Sequence, residues 1–120
     1  MHELSVAQSI VEIVEQHIPQ NRSQAVQAIK VKVGELSGVV PESLDFCFQA
    51  IVDGTPLKRA ALQIELVPFS LLCSDCTEVN NTEPGIVLCP NCGGVNTRVV
   101  GGTELLVIEI ELQDEPAEVS

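Results

Sequence analysis

The chain has 120 residues, and 17 acidic against 6 basic side chains give it a net charge of −11; it holds three Phe and no Trp or Tyr. A surface of that sign repels a phosphate backbone, and so few aromatics offer no base-stacking platform, which excludes nucleic acid as a partner class. No apolar run approaches the ~18 residues of a membrane span, and no basic segment precedes an apolar one at the start, so no membrane helix and no secretory signal are predicted and a cytoplasmic location is expected.

The first element is a helix. Leu4, Ala7, Val11, Val14 and Ile18 recur at three- and four-residue spacing, and Val6, Ile10 and Ile13 widen the stripe. Glu3 suits the positive end of that helix's dipole, His17 the negative end, and Pro19 stops it. Ile29, Val31 and Val33 then alternate with Lys30 and Lys32, the pattern of a half-buried strand. The loop GELSGVV follows. Pro41 opens a second helix with Leu44, Cys47, Phe48 and Ile51 on one face and Gly54 as its C-terminal cap. On that face Cys47 reads as a small core hydrophobe. Glu35 and Glu42 are the candidates in this segment for shaping a metal or partner surface near the N-terminus.

Leu62, Ile64 and Leu66 alternate with polar residues in a second strand that ends at Pro68. Leu106, Ile108, Ile110 and Leu112 do the same in a third, with Glu109 and Glu111 on the other face. The order predicts an α+β fold: a small three-stranded mixed sheet covered by two helices, one strand pair joined by a parallel crossover, with a zinc-ribbon-like four-cysteine insert. Residues 1–69 and 102–113 form the discontinuous α/β domain, 70–101 the insert, and 114–120 (DEPAEVS) a flexible acidic tail. The insert's two ends are expected to lie close together. No internal repeat is visible. An exposed sheet edge leaves both a monomer and a homodimer open.

The insert carries Cys73 and Cys76 as one C-x2-C pair and Cys89 and Cys92 as another. Each pair presents two thiolates from one tight turn, and four thiolates suit tetrahedral Zn(II). The glycines after Cys92 allow positive φ and a close approach of amides to sulfur. Two disulfides are the competing reading, disfavoured by a reducing compartment. Residues Ile86 to Leu88 and Arg98 to Val100 are expected to supply the insert's short strands. A four-cysteine site leaves no open position for water, so the zinc is structural and hydrolysis is excluded. No nucleophile–base set is apparent, and an enzyme is not predicted.

His2 is one of only two histidines. It reads either as an exposed side chain without function or as a ligand. The amine of Met1, the backbone nitrogen of His2 and its imidazole can chelate one metal, and Glu3 can complete the site. Deprotonated amide and imidazole nitrogens impose a planar field that suits Ni(II) or Cu(II) rather than zinc.

MHELS at the start, VGELSGVVPESLDFCF in the middle and the C-x2-C…CPNCGG insert together resemble the HypA/HybF family of nickel metallochaperones, over nearly the whole chain from Met1 to about Leu112. The resemblance implies maturation of [NiFe]-hydrogenase and, in some organisms, urease. It implies transient Ni(II) cargo at the N-terminus, with His2 as principal side-chain ligand, Glu3 adjacent and Met1 contributing its amine. It implies structural Zn(II) on Cys73, Cys76, Cys89 and Cys92. Its partners would be a nickel-pathway GTPase and the hydrogenase large-subunit precursor. Some relatives carry further histidines near the zinc insert; this chain has none there. The alternative is a zinc-ribbon adaptor that binds protein without delivering nickel.

Overall fold

Residues 3–113 are described by the computed structural model. The expectations placed on Met1, His2 and residues 114–120 lie outside them.

Helix α1 (Glu3–His17) buries Val6, Ala7, Ile10 and Val14. Leu4, counted into the stripe by spacing, is instead half exposed, because the buried face centres on Ile10 rather than on the Leu4–Val11 row. The helix ends two residues before Pro19, and the ring nitrogen Nδ1 of His17 donates to the Ile13 carbonyl at 2.8 Å, one turn back along the helix. A 3-10 turn (Gln20–Ala25) leads into β1 (Val26–Gly34), and another (Glu35–Ser37) leaves it. Helix α2 (Pro41–Val52) starts on its proline and buries Leu44, Phe48 and Val52. Gly54, at φ 77°, supplies the left-handed residue just past its end.

Strand β2 (Ala61–Val67) pairs parallel to β1, and β6 (Leu105–Leu112) pairs antiparallel to its other side. The main sheet is therefore mixed, in the order β2-β1-β6. Ile29, Val31 and Val33 of the central strand meet α1 and α2 in one apolar cluster with Leu44 and Phe48. Cys47 packs against that cluster as a half-buried neighbour. On the open face Lys30 lies 3.7 Å from Glu109, a surface pair worth at most about 1 kcal/mol. Phe48 is fully buried, so Phe48→Ala is expected to cost about 3–5 kcal/mol in a urea unfolding experiment.

The third strand departs from simple alternation. A bulge shifts the register between Lys30 and Val31, so Leu105 and Val107 face the core before it and Ile110 and Leu112 after it. Leu106 and Ile108, expected inside, are about half exposed. One extra residue in a strand reverses every later side chain, which no alternation pattern anticipates.

The insert forms a second, antiparallel sheet in the order β4-β3-β5, from β3 (Ser70–Cys73), β4 (Val79–Asn81) and β5 (Thr97–Gly101). Arg98 to Val100 lie in a strand as expected. Ile86 to Leu88 do not; they run irregular and exposed between two prolines, with the Val87 carbonyl held by the Thr97 hydroxyl. Ser70 pairs with Gly101, so the insert's ends lie side by side.

Candidate metal sites

Two turns bring the four cysteines together, and they are built alike. The amide of Thr77 donates to the Cys73 carbonyl and that of Gly93 to the Cys89 carbonyl, both at 2.8 Å. The amide of Cys73 donates to Glu78 at 3.1 Å and that of Cys89 to Gly94 at 3.0 Å. In each turn the residue after the second cysteine is left-handed, Thr77 at φ 59° and Gly93 at φ 73°. This internal equivalence is invisible in sequence, because the two turns share little beyond their cysteines. Gly94 leaves room for sulfur: a Cβ there would stand 3.2 Å from Cys92 Sγ and 2.7 Å from the Asp75 carboxylate.

The four sulfurs lie within 4.8 Å of one another. Cys73 Sγ and Cys92 Sγ are 3.6 Å apart, Cys76 Sγ and Cys89 Sγ 3.7 Å. A disulfide needs about 2.05 Å, so these are four free thiols. A tetrahedral thiolate centre with metal–sulfur bonds of ~2.3 Å has edges of about 3.8 Å, and the cluster fits it. The Asn91 side-chain amide, 3.6 Å from Cys76 Sγ, and then the Glu78 backbone amide hold the Cys76 thiol at about 7. At Cys92 the Gly94 amide favours the thiolate, but Cys73, burial, Cys89 and Cys76 together push it up to about 12. Four thiols this close cannot all ionise by themselves, and a bound cation resolves the conflict.

Met1 and His2 lie outside the described residues, so of the expected amino-terminal site only Glu3 is placed. Glu3 sits in the first turn of α1, and its Oε2 accepts from the Val40 amide, 3.0 Å away and 37 residues on. The bond ties the helix start to the loop before α2. Glu42 lies in the first turn of α2, where its charge suits the helix dipole. Glu35 is turned elsewhere: its Oε1 accepts from the Phe69 amide at 2.7 Å, at the root of the insert. There Gly34 donates to the Glu104 carbonyl and Leu36 to the Gly102 carbonyl, both at 2.7 Å. The amide of Gly102 donates to the Glu104 carboxylate, also at 2.7 Å. Sequence reasoning missed this joint, although two glycines, Gly34 and Gly102, flagged a close approach of backbones.

A family described as "Hydrogenase/urease nickel incorporation, metallochaperone, hypA" matches residues 1–112. The chain belongs to the HypA family. It is 42% identical over 113 residues to the hydrogenase maturation factor HypA of Geobacter sulfurreducens, covering 94% of this chain and 100% of that one. It is 33% identical to the HypA of Aquifex aeolicus over the same length, covering 98% of the relative. A solution structure of the Ni metallochaperone HypA from Helicobacter pylori superposes with a TM-score of 0.63 at 26% identity, over 96% of this chain and 100% of that one. A second HypA solution structure gives 0.68, also at 26% identity. HypA proteins are metallochaperones of hydrogenase maturation, so the chain is a carrier and not an enzyme. No helix among the described residues of this HypA-family chain is long and apolar enough to cross a membrane.

Proposed function

We propose that this chain binds Ni(II) at its N-terminus and delivers it in the cytoplasm for maturation of [NiFe]-hydrogenase, with urease as a second recipient. The amine of Met1, the backbone nitrogen and imidazole of His2, and Glu3 adjacent to them form the nickel site. Residues 1–69 and 102–113 are its nickel-binding domain. The partners are a nickel-pathway GTPase and the hydrogenase large-subunit precursor.

The observation that carries this reading is the Glu3–Val40 hydrogen bond. It holds the first turn of α1 against a second element, so Glu3, next in sequence to the proposed chelating residues, stands on a fixed base. A site at a chain end exchanges ligands readily, and a carrier must release its cargo. Planar nitrogen ligation favours Ni(II) over zinc, while copper would bind at least as tightly, so supply and partners set the choice.

Cys73, Cys76, Cys89 and Cys92 hold Zn(II) in the insert. Zinc there supplies a closed structural crosslink and no reactive water. The two matched turns present the sulfurs, Asn91 donates to Cys76, and the amides of Glu78 and Gly94 stabilise thiolate charge.

Calorimetric titration of nickel into the untagged, zinc-loaded protein tests the proposal. One-to-one binding is expected, and it should be abolished both by His2→Ala and by two extra residues ahead of Met1, with zinc content and fold unchanged. Equal binding in all three proteins would remove the terminal site. No binding by the untagged protein would leave the adaptor as the better description.

A further inference from the structure

Strand β6 forms an outer edge of the main sheet. The 2.7 Å bond from the Gly34 amide to the Glu104 carbonyl sets the alternation of its ladder. Leu106, opposite Lys32, therefore turns its amide and carbonyl toward β1, while Leu105 and Val107, opposite Val33 and Val31, turn theirs outward. No hydrogen bond reaches those outward groups from the described residues. The same segment lines an apolar groove of about 290 Å³, whose other wall includes Ser5, Ser9 and Ile13 of α1. The bulge that follows Val107 ends the straight edge, so the open stretch is about three residues long.

We propose that this edge and groove form a docking site for an extended segment of a partner protein. The segment adds a short strand beside Leu105–Val107 and seats an apolar side chain against Ser9 and Ile13. Main-chain hydrogen bonds supply affinity in this mode and the groove supplies selectivity.

Charge selects the occupant. Glu104 and Glu109 flank the open segment on β6, and Glu12 is exposed one turn from Ser9. Glu109 has Lys30 at 3.7 Å, Lys32 stands opposite Leu106 on β1, and His17 lies by the edge beyond the bulge, so the excess of acid comes from the chain as a whole, at −11. A partner segment that alternates apolar residues with Lys or Arg meets this rim favourably. A second copy brings a further net charge of −11 to the same place. The chain's own residues 114–120 are a poor fit: they leave from the far end of β6, about 20 Å from Leu106 at ~3.3 Å per residue, and they carry three more acids.

The test uses the full zinc-loaded chain and an end-capped heptapeptide of alternating Lys and Val, with a Glu and Val counterpart. Amide hydrogen exchange by NMR reports the edge. The Lys peptide is expected to slow exchange at Leu105 and Val107 at least tenfold near saturation, and the Glu peptide is not. Ser9→Arg, which fills the groove from an exposed helix position, should weaken binding at least tenfold. Gln8→Arg, with the same charge outside the groove, should leave binding unchanged. Nickel binding should persist in both variants, which separates this surface from the amino-terminal site. Shifts that map elsewhere, no slowing up to the peptide's solubility, or slowing that follows protein concentration without peptide would overturn the proposal; the last result would make a second copy the occupant.

Discussion

Removing the metal from the four-cysteine site is expected to unfold residues 70–101 while the sheet β2-β1-β6 and its two helices stay folded. The main apolar cluster draws on no residue of the insert. Within 70–101 the buried side chains are Leu71, Cys73 and Cys89, two of them ligands themselves. So little burial cannot offset an ordering cost of ~1 kcal/mol or more per residue. Structural zinc contributes roughly 10–16 kcal/mol of apparent binding free energy in comparable small sites, enough to decide whether the insert folds. A chelator titration followed by NMR should show the β3, β4 and β5 amides collapsing toward random-coil shifts as one zinc per chain is released. Cys73→Ser and Cys89→Ser should reproduce that state without chelator. Protected β3 amides in metal-free protein would mean that strand pairing alone holds the insert.

The second large effect is expected at Gly102. Its φ is 100°, and a Cβ there would stand 2.4 Å from Phe69 Cα and 2.9 Å from the Phe69 amide nitrogen. Phe69 is 1% exposed and its amide is bound by Glu35, so it has nowhere to retreat. Gly102→Ala therefore combines backbone strain with overpacking, each about 1–3 kcal/mol, and should lower stability by roughly 3 kcal/mol or more. Gly38→Ala is the control: φ is 79° there too, but nothing lies within 4 Å, so only the left-handed cost of about 1–2 kcal/mol applies. Denaturant midpoints of the two variants separate the steric part from the conformational part. Equal midpoints would show that the joint yields.

Glu35 shows why this joint was not legible in advance. As a carboxylate in a loop close to the N-terminus, it was a candidate for the metal or partner surface. The fold instead gives it an amide 34 residues away. Glu3 likewise finds Val40 across 37 residues. Neither pairing has a local signature, since a carboxylate accepts from any amide that the fold brings within reach. His17 was legible, because its partner is one helical turn back.

By itself the sequence determined the two helices, the three main strands, their class of packing, the four-cysteine cluster and the family. The elements and the cysteine cluster rest on periodicity or on spacing between near neighbours, which survive without knowledge of distant contacts, and the family rests on the likeness of three sequence motifs. Only the tertiary structure decided which face of β6 is buried, because a single bulge reverses it. It alone placed the insert's strands at Ser70–Cys73 and Val79–Asn81, where pairing across the joint outweighs the apolar run at Ile86 to Leu88. It alone paired Glu35 with Phe69 and left the outer backbone of Leu105 and Val107 open, since hydrogen bonding between distant segments depends on where the chain returns.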